Sequence, residues 1–214
     1  GKPLVLVGKA VTFDTGGYSL KDRNGMVGMK YDKCGGTAVM GIMQAVAQLK
    51  PKTPVIGVIA AAENMISGEA YRPNDIIRSM SGKTIEIIST DAEGRMVLAD
   101  ALTYVQKNYK PRAIIDLATL TGGVVVALGS TLAGIFCNND ALRDKLLASG
   151  ERTFERLWPL PMHDEYFDLL KTEDCDFKNS GSREAHASVG AVFLKQFVDQ
   201  KIPWAHLDIA GVGS

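Results

Sequence analysis

The sequence reads as a three-layer α/β/α domain on a mixed, mainly parallel central sheet. Short apolar runs rich in β-branched residues recur at residues 4–7, 55–61, 84–88, 113–118 and 205–210, as expected of strands buried on both faces. Helical periodicity lies between many of them, and that alternation favours a sheet covered on both sides. Glycine is abundant, with 22 among 214 residues, while aromatics make up 7%; the balance suits tight strand-to-helix loops.

The length is right for one substantial domain and short for two. Lys plus Arg equals Asp plus Glu, at 24 each, so the chain lacks the basic excess of a duplex-binding domain. No apolar run is long enough to cross a bilayer. The cysteines, Cys34, Cys137 and Cys175, are odd in number and widely spaced. They indicate neither a disulfide framework nor a metal knuckle, and a reducing, cytoplasmic compartment is expected.

The first strand, Leu4-Val5-Leu6-Val7, runs into a glycine-containing loop that carries Lys9 and Asp14, with Lys21 soon after. Taken singly, Lys9 reads as a surface residue and Asp14 as a cap on the turn Thr15-Gly16-Gly17. Asp32 follows Met29-Lys30-Tyr31 and precedes a helix whose apolar positions, Val39, Ile42, Met43, Val46 and Leu49, share one face. Alone, it reads as an N-cap. After the strand at 84–88 comes Ser89-Thr90-Asp91-Ala92-Glu93-Gly94-Arg95, then a helix over 96–105. Thr90-x-x-Glu93 fits a capping box. That reading leaves unexplained why two acids and an arginine crowd one turn at a strand end. Further helices are expected at 141–157 and 191–198. Residues 179–190, rich in Ser and Gly, read as a mobile loop that edges the site.

Asp14, Asp32, Asp91 and Glu93 all fall at expected strand ends or helix starts, where an open α/β sheet gathers its function. Brought together, four carboxylates repel unless cations neutralise them. Two divalent ions supply the matching charge, and oxygen-rich ligation suits paired hydrolytic metals. The residues alone do not name a substrate.

Val7-Gly8-Lys9 to Asp14-Thr15-Gly16-Gly17, Met29-Lys30-Tyr31-Asp32 and Thr90-Asp91-Ala92-Glu93-Gly94-Arg95 resemble the leucine aminopeptidase (cytosol aminopeptidase) family. So do Leu98-Ala99-Asp100-Ala101-Leu102, Ala118-Thr119-Leu120-Thr121-Gly122 and Trp204 to Gly211. The resemblance runs in order across nearly the whole chain. It implies that residues 1–214 are the C-terminal catalytic domain of a longer protein, without its N-terminal domain and extreme C-terminus. It further implies hydrolysis of single, Leu-like residues from peptides with a free N-terminus, in a cytoplasmic homohexamer, by two divalent ions, Mn or Zn. The implied metal ligands are Lys9, Asp14, Asp32, Asp91 and Glu93, with Asp32 and Glu93 shared between the ions. Lys21 and Arg95 match the catalytic basic residues, Arg95 holding a bicarbonate. Met29, Thr119 and Leu120 match positions lining the pocket for the first substrate side chain. Ala10, Thr15 and Cys34 depart from the usual family residues without removing a ligand.

A metal-bound lysine must be the neutral amine, so Lys9 is expected to be buried and uncharged. Cys34 reads as a buried small hydrophobe or as a thiol near the metals. His206 reads as structural, and His186 as a residue of the Ser- and Gly-rich loop, with approach to substrate the less favoured reading. A DNA-binding regulator, a two-metal phosphatase and an inactive scaffold are the rival readings. The neutral charge balance, the lysine ligand without histidines, and the retention of all seven key residues weigh against them in turn.

Overall fold

The computed structural model describes residues 1–213. The main sheet contains β1 (Leu4–Asp14), β2 (Val55–Asn64), β5 (Ala113–Ala118), β6 (Ala133–Cys137), β7 (Leu157–Pro159) and β9 (Trp204–Asp208), in the order β2-β1-β5-β9-β6-β7. β2, β1, β5 and β9 run parallel, whereas β6 is antiparallel to β9 and carries β7 with it. The mixed, mainly parallel sheet thus matches expectation. A smaller sheet joins β3 (Ile76–Arg78), β4 (Thr84–Glu86) and β8 (Phe177–Lys178). The run at 84–88, expected in the main sheet, lies here instead, because Ile85 and Phe177 bury together beneath α3 (Glu93–Tyr109) and α6 (His186–Lys195).

Strand alternation divides the core into two faces. On β1, Val5 and Val7 pack with Leu98, Leu102 and Val105 of α3 and with Val189 and Phe193 of α6. Leu6 faces the other way, with Ile115, Leu117 and Leu207, towards Val39 of α2 (Cys34–Leu49) and Leu142 and Leu146 of α5 (Asp140–Thr153). Two short helices, α1 (Arg23–Met26) and α4 (Gly122–Leu128), complete the set. α5 stops at Thr153 and the chain turns into β7 through Phe154 at positive φ, so the helix expected to reach residue 157 is shorter. α6 begins at His186, which shortens the loop expected at 179–190.

Asp32 approaches Lys9 because α2 starts close to the sheet. A Cβ on Gly35 would run into the carbonyl of Leu117 and stand 3.1 Å from the backbone nitrogen of Lys9. Gly35→Ala is therefore expected to cost about 1–3 kcal/mol by forcing the helix off the sheet. The urea midpoint measures this, and a midpoint equal to the parent's would contradict the close approach.

Candidate active site

Lys9 continues the face of Val5 and Val7, which brings it to the start of α3. It is 2% exposed. Its ammonium donates to Asp32 Oδ1 at 2.8 Å and the Thr119 carbonyl at 2.8 Å, and pairs with Glu93 Oε1 at 2.9 Å. Gly94 makes room: a Cβ there would stand 2.6 Å from Lys9 Nζ. Local caps do not form. Ala92 is the N-cap of α3 and Lys33 that of α2, neither with a side-chain cap bond. Glu93 and Asp32 turn to Lys9 instead.

A second group lies beside the first. Asp14, Asp91 and Glu93 each offer an oxygen within 4.8 Å of the others. Lys21 Nζ stands 3.0 Å from Asp14 Oδ2 and 2.7 Å from Asp91 Oδ1. Asp14 Oδ1 also accepts the Gly16 N–H at 2.8 Å, so the turn-capping role expected of it holds as well. Asn64, at the end of β2, donates to Asp14 Oδ1 at 2.8 Å and to the Thr90 carbonyl at 2.9 Å. It ties the loop after β1 to the turn before α3.

Glu93 belongs to both groups, Lys9–Asp32–Glu93 and Asp14–Asp91–Glu93, whereas Asp32 is placed in the first alone. The expectation that Asp32 is shared like Glu93 is therefore not matched by the arrangement. All five residues converge, on β1, the turn before α2 and the turn into α3. Asp32 Oδ2 and Glu93 Oε2 are buried with no hydrogen-bond partner among the described residues. Buried carboxylate oxygens without donors are costly, and oxygens so placed fit divalent cations. Burial pushes Asp32 up from the ordinary carboxylate range despite Lys9, and Asp91 up despite Lys21. Burial opposes the charge of both lysines. Glu93 and Asp32 outweigh it at Lys9, as Asp91 and Asp14 do at Lys21, so both are raised. Lys9 is buried as expected, but the protein's own charges favour its ammonium over the expected neutral amine. That expectation depends on adjacent dications, which would reverse the local field.

Arg95 is 2% exposed. Burial pulls its pKa down to about 10 against the charges of Glu93 and Asp208. Its Nη1 donates to the Asn179 carbonyl at 2.7 Å and its guanidinium lies 5.8 Å from the Phe193 ring centroid, while Nε has no partner. Asn179 is fully buried and bonds to Ile88 and Ser89 through its side chain, so it acts as an anchor rather than part of a mobile loop. Thr119 and Leu120 are half-buried beyond β5, and the Thr119 hydroxyl donates to Asp32 Oδ1 at 2.7 Å. Met29 opens the short turn that ends on Asp32, whose N–H donates to the Met29 carbonyl at 3.3 Å.

Cys34 is half-buried, and burial raises its thiol. His206 is fully buried, its Nδ1 2.6 Å from Asp116 Oδ1, which bears out a structural role. Trp204 Nε1 donates to the other Asp116 oxygen at 2.7 Å. His186 heads α6; burial and then the charge of Arg95 lower its pKa. Among the described residues, no helix is long and apolar enough to cross a membrane.

The family model described as "Cytosol aminopeptidase family, catalytic domain" matches residues 1–214. A probable cytosol aminopeptidase of Geobacter sulfurreducens is 55% identical over 210 residues, covering 98% of this chain and 42% of that protein. Another, of Syntrophobacter fumaroxidans, is 53% identical over 209 residues, covering 98% of this chain and 41% of that protein. A third, of Cenarchaeum symbiosum, is 52% identical over 211 residues, covering 98% and 43%. The chain spans about two fifths of the length of the curated relatives it matches.

Proposed function

The chain belongs to the cytosol aminopeptidase family, and on that premise we propose that it is the catalytic domain of a metal-dependent aminopeptidase that releases single, Leu-like residues from the free N-terminus of peptides. The observation that carries this reading is the place of Glu93 in two adjoining ligand groups. Lys9, Asp32 and Glu93 would hold one divalent ion, and Asp14, Asp91 and Glu93 the other, with Mn or Zn suiting such ligands. Ions bound there would supply Lewis acidity to the scissile carbonyl and to an attacking water.

The chain's own residues do the rest. Lys21, 17% exposed in its side chain, keeps its proton between Asp14 and Asp91. In this reading it would donate to the oxygen on which charge develops. The buried Arg95, with Nε unpaired, offers the planar fork that suits a bicarbonate, which would take the proton of the attacking water. Thr119, Leu120 and Met29 would wall the pocket for the first side chain. A cytoplasmic homohexamer is part of the same reading.

Hydrolysis of leucine 4-nitroanilide by the full chain, before and after chelation and with Mn, Zn, Co or Mg restored singly, tests it. Activity should vanish on chelation and return with a divalent ion, and an N-acetylated leucine anilide should resist. Hydrolysis indifferent to chelation would overturn the reading. Arg95→Ala should slow turnover about 10²-fold while both ions stay bound; equal loss of ions would remove the role given to Arg95.

A further inference from the structure

The turn after β5 hangs on a buried acid that the proposed chemistry does not use. Asp208 ends β9, opposite Ala118 of β5 on one side and Gly134 of β6 on the other. It is fully buried, and among the described residues no lysine, arginine or histidine lies within ion-pair distance of it. Four neutral donors converge on it. Oδ1 accepts the N–H groups of Leu120 at 3.1 Å, Thr121 at 3.4 Å and Ala210 at 3.2 Å. Oδ2 accepts the Thr121 hydroxyl at 2.6 Å. Thr121 Oγ1 in turn accepts the Val124 N–H at 3.1 Å, capping α4.

The three residues of this turn are therefore tied at both ends. Thr119 is bound to the acid cluster, through its carbonyl to Lys9 and through its hydroxyl to Asp32. Leu120 and Thr121 are bound to Asp208. Gly190 of α6 lies against both the turn and Arg95: a Cβ there would stand 3.3 Å from Leu120 Cδ2, 3.1 Å from Thr121 Cγ2 and 3.5 Å from Arg95 Nη2. Hydrogen bonds to an ionised acceptor are about twice as strong as neutral ones, so a carboxylate is well suited to fix the two consecutive N–H groups of Leu120 and Thr121 together with the Thr121 hydroxyl.

We propose that Asp208 is a positioning residue that sets the turn at residues 119–121, and through it the wall that meets the first side chain of the substrate. The second half of this statement rests on the aminopeptidase reading; the first does not. Asp208→Asn keeps the shape but not the charge, and presents an amide donor where the Thr121 hydroxyl now donates. In the full chain, amide hydrogen exchange at Leu120, Thr121 and Val124 should rise about tenfold, with Val5, Val7 and Leu98 unchanged. In the same variant KM for a leucyl anilide should rise about tenfold. KM for an alanyl anilide and kcat should move far less, so that discrimination between the two narrows.

Unchanged protection at Leu120 to Val124 overturns the proposal. So does faster exchange with undiminished discrimination, which would leave Asp208 a purely structural residue. If the parent cleaves neither anilide, the aminopeptidase reading fails while the exchange data still decide whether Asp208 holds the turn. Should Asp208→Asn not fold, Thr121→Val, which deletes one donor of the four, must show the same local loss, and full protection there overturns the proposal equally. Thr121→Ser, which keeps the hydroxyl, should behave as the parent does.

Discussion

If the proposed two-ion centre exists, Glu93→Ala is expected to lower kcat/KM on a leucyl anilide by about 10³-fold or more and to leave one bound ion per chain or none. Glu93 is the residue common to both ligand groups, so its loss removes an oxygen from each. One carboxylate oxygen stands 2.9 Å from Lys9 Nζ, and the other is buried without a donor. Alanine keeps the start of α3 helical, because Glu93 makes no cap there; it does break the buried pair with Lys9, so a urea midpoint measured alongside separates the loss at the site from a loss of folding. Kinetics and elemental analysis on the same preparation check it. A Glu93→Ala protein with two ions and parental turnover would dissolve the proposed centre.

Lys9→Met is expected to cost the protein about 3–5 kcal/mol of stability, measured by urea unfolding in the presence of a chelator. Methionine matches the length of lysine and its apolar stem, but it leaves Asp32 and Glu93 facing each other with no cation between them. The Thr119 carbonyl loses its donor as well. On the proposed reading a divalent ion would bind the folded chain in preference to the unfolded one and should offset part of the loss as its concentration rises. A variant as stable in chelator as its parent would show that Lys9 is not what holds these acids together.

Much of this site is legible in the amino-acid sequence, and for a physical reason. Lys9, Asp14, Asp91 and Glu93 lie on or just beyond apolar strand runs, each with a glycine within three positions, where a charged residue calls for a partner; Asp32 is marked instead by the helix that follows it. Local grammar misleads at Glu93, which fits a capping box with Thr90. A buried ammonium is a stronger partner for a carboxylate than one backbone N–H, so the long-range pair prevails. Asn64, Asn179 and Asp208 carry no such signal. Each is a common loop or strand-end residue whose importance lies in partners 26 to 91 positions away along the chain, and no spacing rule encodes that. The sheet is visible as a set of apolar runs, but Ala133-Gly134-Ile135-Phe136-Cys137 carries nothing that fixes its direction. Its antiparallel course follows from β9, which arrives later in the chain.

The parallel course of β1 and β2 also leaves the molecule a chemically quiet rim. Asn64 closes β2 beside Asp14, whereas residues 50–53 lie exposed or half-exposed before its first residue, Val55. A strand of this length rises about 3.3 Å per residue, which puts ~30 Å between that bend and the acids. A fluorophore, an affinity handle or a surface tether grafted at Lys52 would thus report on the protein, or immobilise it, without competing with whatever enters at the opposite edge.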